Sequence, residues 1–154
     1  MTVVFLARWK MNAVETDYLG VVTDGRVTIN SNTLDEISVA TQGVTVSAIK
    51  SLAKELNWDA NSLAASIGTT MRTLERYSKD RKRLNAKLSE NALEVARISS
   101  QGIAYFGDVK RWNEWLSTPN IQFANQEPKS VIHTIRGREL IKRVILGLEY
   151  GFTA

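Results

Sequence analysis

The chain has 154 residues, 44% hydrophobic and 23% charged, a composition that suits one compact domain or two small ones sharing a core. It contains no apolar run of about 18 residues, which excludes a membrane-spanning helix, and no cysteine, which excludes disulfides and thiolate metal sites. The apolar start from Met1 to Ala7 is followed, not preceded, by Arg8 and Lys10, the reverse of an export signal, so a cytoplasmic location is expected.

The net charge of +4 is unevenly spread. Residues 1–44 carry three basic and five acidic side chains, residues 45–100 ten and six, and residues 101–154 seven and five. The window from Arg72 to Lys87 alone holds seven basic groups against Glu75 and Asp80, so its charge exceeds that of the whole chain. A patch this focused fits a polyanion binder. A solvated helix end and loop is the alternative that composition leaves open.

In chain order, Tyr18–Val22 and Arg26–Ile29 flank Asp24-Gly25, which predicts a short β-hairpin with a type I′ turn. The turn-rich Asn30, Ser31, Asn32 and Thr33 lead to a short helix from about Asp35. From Val46 the period becomes helical: Ile49, Leu52, Ala53 and Leu56 share a face closed by Asn57. Asp59 caps a second helix carrying Leu63, Ala64 and Ile67 and stopped by Gly68. Thr69 or Thr70 caps a third, with Met71, Leu74 and Tyr77 as inward candidates. Arg81-Lys82-Arg83 links to a fourth, capped by Ser89 and running to about Ser99. Asp108 caps a helix bearing Trp112, Trp115 and Leu116, stopped by Pro119. Pro128 opens a further short helix ended by Gly137, and Leu140, Ile141, Val144, Ile145 and Leu148 form a last apolar stripe ended by Gly151. The chain reads as all-α apart from the hairpin.

Ala60 to Lys79 fits a helix-turn-helix. Close crossing of two helices needs a small residue where they touch, which Ala64 supplies, and the tight turn needs positive φ, which Gly68 supplies. The template presents Thr70, Met71, Arg72, Glu75, Arg76 and Lys79 outward. Arginine reads guanine bidentately, and Thr70 and Lys79 suit phosphate oxygens. Glu75 either accepts from cytosine N4 or pairs with Arg72 or Lys79 along the helix. Arg81, Lys82, Arg83 and Lys87 would add salt-dependent affinity without sequence information. A single recognition helix binds weakly, so specific binding implies a dimer.

Nothing points to catalysis. His133 is the one histidine, the nine glycines are scattered singly, and no nucleophile elbow occurs. Neither enzyme activity nor a cofactor or metal is expected. Trp112 and Trp115, at helical spacing, read as core and not as a base-stacking platform.

From Gly43 to Ala154 the order of marks is specific. Arg72-Thr73-Leu74 with Arg76 is followed by Leu84 and Leu88-Ser89, then by Phe106-Gly107 and Trp115-Leu116-x-x-Pro119-Asn120. Pro128, Thr134-x-x-Gly137, Val144 and Leu148-Glu149-Tyr150-Gly151 complete the series. This pattern resembles the Xre-type antitoxins paired with RES-domain toxins, the MbcA/ParS/Xre group. The resemblance implies a Cro/CI-like helix-turn-helix domain (46–100) followed by a small helical toxin-binding domain (101–154), with residues 1–45 of unknown role. It implies a homodimer within a larger toxin–antitoxin complex, nucleoid-associated when bound to operator DNA, that represses its own operon. It also implies inhibition of a RES-domain, NAD⁺-degrading toxin by occlusion of its cleft. Carried over by position, DNA binding falls to Thr70, Arg72, Arg76, Lys79, Arg81, Lys82 and Arg83. Toxin binding falls to Arg136, Arg138, Lys142, Arg143, Tyr150, Gly151, Phe152, Thr153 and Ala154. Two places depart from the family: the loop before Pro128 reads Phe123-Ala124-Asn125-Gln126-Glu127 where the family often has a glycine pair, and Trp112 occupies a position that is often small. Two further readings stay open here, a stand-alone transcription regulator that uses its C-terminal half to dimerise, and an adaptor or localisation protein of the same fold without DNA binding.

Overall fold

The computed structural model describes residues 15–151. Among these, eight α-helices and two 3-10 helices form and no strand does. The α-helices are α1 Tyr18–Val22, α2 Thr33–Gln42, α3 Val46–Glu55, α4 Ala60–Ser66, α5 Met71–Lys79, α6 Ala86–Phe106, α7 Val109–Leu116 and α8 Ile135–Glu149; the 3-10 helices are Ile121–Phe123 and Pro128–Val131. Each α-helix starts at a residue whose side chain accepts a backbone N–H of the first turn: Asp17, Asn32, Thr45, Asp59, Thr70, Asn85, Asp108 and Thr134.

Three sequence expectations are corrected. The N-terminal hairpin is absent: Tyr18–Val22 is α1, because Asp17 caps it and Tyr18, Leu19 and Val22 are all buried on its inner face. Asp24 and Gly25 do take consecutive positive φ, 54° and 79°, but they close the helix, with Gly25 N donating to Gly20 O at 2.8 Å. Ser89 does not cap α6; Asn85 does, and Ser89 lies buried in the first turns, accepting from Val44 N at 3.0 Å. Gly137 ends no helix. It sits in the first turn of α8, where a Cβ would overlap the Val131 carbonyl.

Two apolar clusters share α6 as a spine roughly 30 Å long. The N-terminal cluster gathers α1, α3, α4 and α5 on Ala92, Leu93, Val95 and Ala96. The C-terminal cluster gathers Trp112, Leu116, Phe123, Ile132, Ile141 and Ile145 on Ile98. Trp112 is fully buried because Gly102 of α6 leaves room for its ring, on which a Cβ would intrude. Trp58 and Ile103 pack against both clusters, and the Trp58 indole N–H donates to Asn113 Oδ1 at 2.7 Å. No helix among the described residues is long and apolar enough to cross a membrane.

Candidate functional site

α4 and α5 form the helix-turn-helix. Leu63, Ala64, Ile67 and Leu74 are completely buried, Tyr77 and Met71 pack against the same cluster, and Gly68 turns the chain at φ 86°. That inward set fixes what α5 turns outward. Arg72, Glu75, Arg76 and Lys79, at i, i+3, i+4 and i+7, are exposed and line one shallow groove. Among the described residues no ion pair engages the three cations, and Glu75 pairs with neither Arg72 nor Lys79. Thr70 accepts from Thr73 N at 3.2 Å through its hydroxyl as the cap of α5. Arg81, Lys82 and Arg83 are exposed on the turn that follows, Arg81 with φ 53°. Arg83 lies against Gly43 and close to Arg26, whose pKa is lowered by burial first and by Arg83 second. An exposed basic helix face followed by a basic turn suits a phosphate backbone with base edges beyond it.

The second candidate surface is α8. Its inner face is Ile141 and Ile145, with Gly137 against the preceding turn. Arg136 and Arg143 are exposed. Lys142 is half-buried and paired with Glu94 of α6 at 2.6 Å. Arg138 belongs to the interior: it is 4% exposed, donates from Nη1 to Ile132 O at 3.1 Å and from Nη2 to Asn91 Oδ1 at 2.9 Å. This corrects its expected place on a partner-facing surface; the guanidinium is consumed inside the fold. Leu148, expected on the buried stripe, is exposed, as are Ile135 and Leu146. Tyr150 is 74% exposed and Gly151 turns at φ 71° just beyond it. Phe152, Thr153 and Ala154 lie outside the described residues. The exposed apolar residues of α8 escaped sequence reading because burial along one helix depends on where α6 stops packing against it.

A cleft of about 540 Å³ separates α4 from the second 3-10 helix, floored by Trp58, Asn113 and Leu116 and rimmed by Lys129 and His133. Ser62, Ser66, Ser117 and Ser130 line it with Asp59 and His133, but among the described residues no hydrogen bond joins a serine hydroxyl to either base; Ser66 and Ser130 donate theirs to the Leu63 and Glu127 carbonyls. Among the described residues no three histidine, aspartate or glutamate side chains cluster as a metal would need.

Residues 35–97 match the family model of the antitoxin Xre-like helix-turn-helix domain, and residues 101–151 match that of the antitoxin Xre/MbcA/ParS C-terminal toxin-binding domain. The chain belongs to the Xre/MbcA/ParS antitoxins. No curated protein matches it. In this antitoxin the two matched segments meet inside α6, with no linker between them. The first match takes in most of α2, upstream of Gly43. α5 with its basic groove falls in the helix-turn-helix segment, and α7, the 119–127 loop and α8 fall in the toxin-binding segment.

Proposed function

We propose that this antitoxin binds a RES-domain toxin that degrades NAD⁺ and blocks its active-site cleft with the C-terminal segment from Tyr150 to Ala154. The observation that carries the reading is the match of residues 101–151 to a toxin-binding domain whose last helix turns Arg143 and Leu146 outward and ends on the exposed Tyr150. A cleft that holds NAD⁺ must accommodate phosphates and a nicotinamide ring, so a basic and aromatic C-terminal segment competes with the substrate by chemistry as well as by bulk.

The same chain represses its own operon in the cytoplasm through Arg72, Arg76 and Lys79 on base edges and phosphates, with Thr70 and Arg81, Lys82 and Arg83 on the backbone. Two copies supply two half-sites, making the antitoxin a homodimer inside the toxin complex. The exposed basic face of α5, which forms no ion pair among the described residues, supports this over a fold that has lost DNA binding.

The deciding experiment expresses the neighbouring gene in cells with and without this protein and follows growth and NAD⁺. Joint rescue of both is expected. Growth arrest with stable NAD⁺ would rule out the RES chemistry, and toxicity without rescue would favour a stand-alone regulator.

A further inference from the structure

The loop that joins α7 to the second 3-10 helix is far more constrained than a connector needs to be. Asn120 is its hub: the backbone N–H donates to Gln126 O at 3.1 Å, and the carbonyl accepts from Phe123 N at 2.9 Å and Asn125 N at 3.0 Å. Its side-chain Oδ1 accepts from Gln122 N at 2.8 Å. Gln126 N then closes on Phe123 O at 3.1 Å across Ala124 and Asn125, both left-handed at φ 55° and 62°. That is a type I′ reversal built without glycine, a backbone that persists only where its surroundings over-determine it.

The loop has an inner and an outer side. Inward, Phe123 is buried edge-on to Trp115, in the cluster that holds Ile141 and Ile145 of α8. Outward, Ile121 is 80% exposed, the highest value for a large apolar side chain among the described residues. A lone exposed isoleucine on an ordinary loop carries no information. Here a strained, multiply hydrogen-bonded turn holds its backbone in place, so much of the backbone ordering that binding normally demands is already made.

We propose that Ile121 is a pre-organised apolar anchor that seats in a hydrophobic pocket of the toxin, away from the occluded active site. The proposal rests on the antitoxin reading and adds a second point of grip to it. DNA is a poor occupant, because residues 118–128 contain no basic side chain and one acidic, Glu127. The toxin fits, because the loop lies within the toxin-binding segment and shares a core with α8. The loop residues that flank the isoleucine in sequence, Asn120, Gln122, Asn125 and Gln126, are polar and uncharged, the composition of a hot-spot rim.

The test uses the full-length chain and the toxin encoded beside its gene, and reads dissociation of the complex by surface plasmon resonance. Ile121→Ser is expected to speed dissociation at least about tenfold, while Ile121→Val stays close to the parent and operator binding is unchanged in both. Folding is not at stake, because the side chain touches solvent. Ile121→Ser dissociating like the parent, while truncation after Glu149 breaks the complex, would overturn the anchor and leave the antitoxin reading standing. Altered self-association with unchanged toxin binding would also overturn it, assigning the loop to a second copy. A parent chain that never binds this toxin would remove the antitoxin reading and the anchor together.

Discussion

Arg138 Nη2 donates to Asn91 Oδ1 at 2.9 Å, and Asn91 Nδ2 donates onward to the Ile67 carbonyl at 3.0 Å, so two side chains tie α8 to the last turn of α4. Burial lowers the Arg138 pKa, and Glu94 and Glu90 act in the opposite direction. Arg138→Met would leave Ile132 O and Asn91 Oδ1 without their donor inside the fold. The expected loss is about 3 kcal/mol, a fall in Tm of roughly 10 °C for a chain of this size. Asn91→Ala should cost less, and the double variant should cost clearly less than the two combined. Additive losses would mean that the two side chains do not act as one connection.

Ala124 is the position where glycine should help. A left-handed alanine is disfavoured by roughly 1–2 kcal/mol, part of which glycine gives back as chain entropy. Ala124→Gly should therefore raise stability by about 0.5 kcal/mol or more. An unchanged or lowered Tm would show that the loop does not hold its left-handed pair in solution.

Gly102 is the opposite case. A Cβ there would meet the Trp112 ring, which is enclosed by Phe106 and Trp115, at centroid distances of 6.2 and 5.6 Å. Gly102→Ala should destabilise by about 2–3 kcal/mol through forced repacking, visible in thermal unfolding and in the near-ultraviolet signal of the tryptophans. A neutral outcome would mean that α7 can slide away from α6 without penalty.

Arg72→Ala with Arg76→Ala removes two exposed cations and should abolish sequence-specific operator binding while sparing toxin inhibition. Each phosphate that the variant no longer neutralises should make the slope of log affinity against log salt shallower by about 0.9. Gel-shift titrations at several salt concentrations measure both. Retained specificity would move the recognition surface off α5.

Truncation after Glu149 removes Tyr150 and everything beyond it. Release of toxin activity with intact operator binding is the expected result, read in the same growth and NAD⁺ assay. Full inhibition by the shortened chain would exclude the tail as the blocking element.

Most helices from Val46 onward were legible because their caps and apolar spacing are local signals, and Asp59, Thr70 and Asp108 cap where expected, whereas the start of α6 and the boundary between Pro128 and α8 were misplaced. Elements failed where tertiary packing overrides local chemistry. Asp24-Gly25 carries the strongest type I′ signal in the chain, yet its left-handed pair ends a helix; the pair that does reverse the chain is Ala124-Asn125, which carries no glycine to announce it. Several residues that mark the family pattern prove to be structural fasteners. Thr134 caps α8, Gly137 allows the preceding turn to approach, and Asn120 binds its loop together. Arg138 looked like its neighbours Arg136 and Arg143 in sequence, and only the packing of α8 on α6 separates the buried cation from the exposed ones.

α6 gives Val95 to one core and Ile98 to the other, three residues apart on an unbroken helix. Among the described residues the two cores are joined by this continuous helix, so heat or denaturant is expected to unfold both halves together. The basic face of α5 and the outer face of α8 are therefore expected to melt as one, and proteolysis that opens either core would remove both at the same moment.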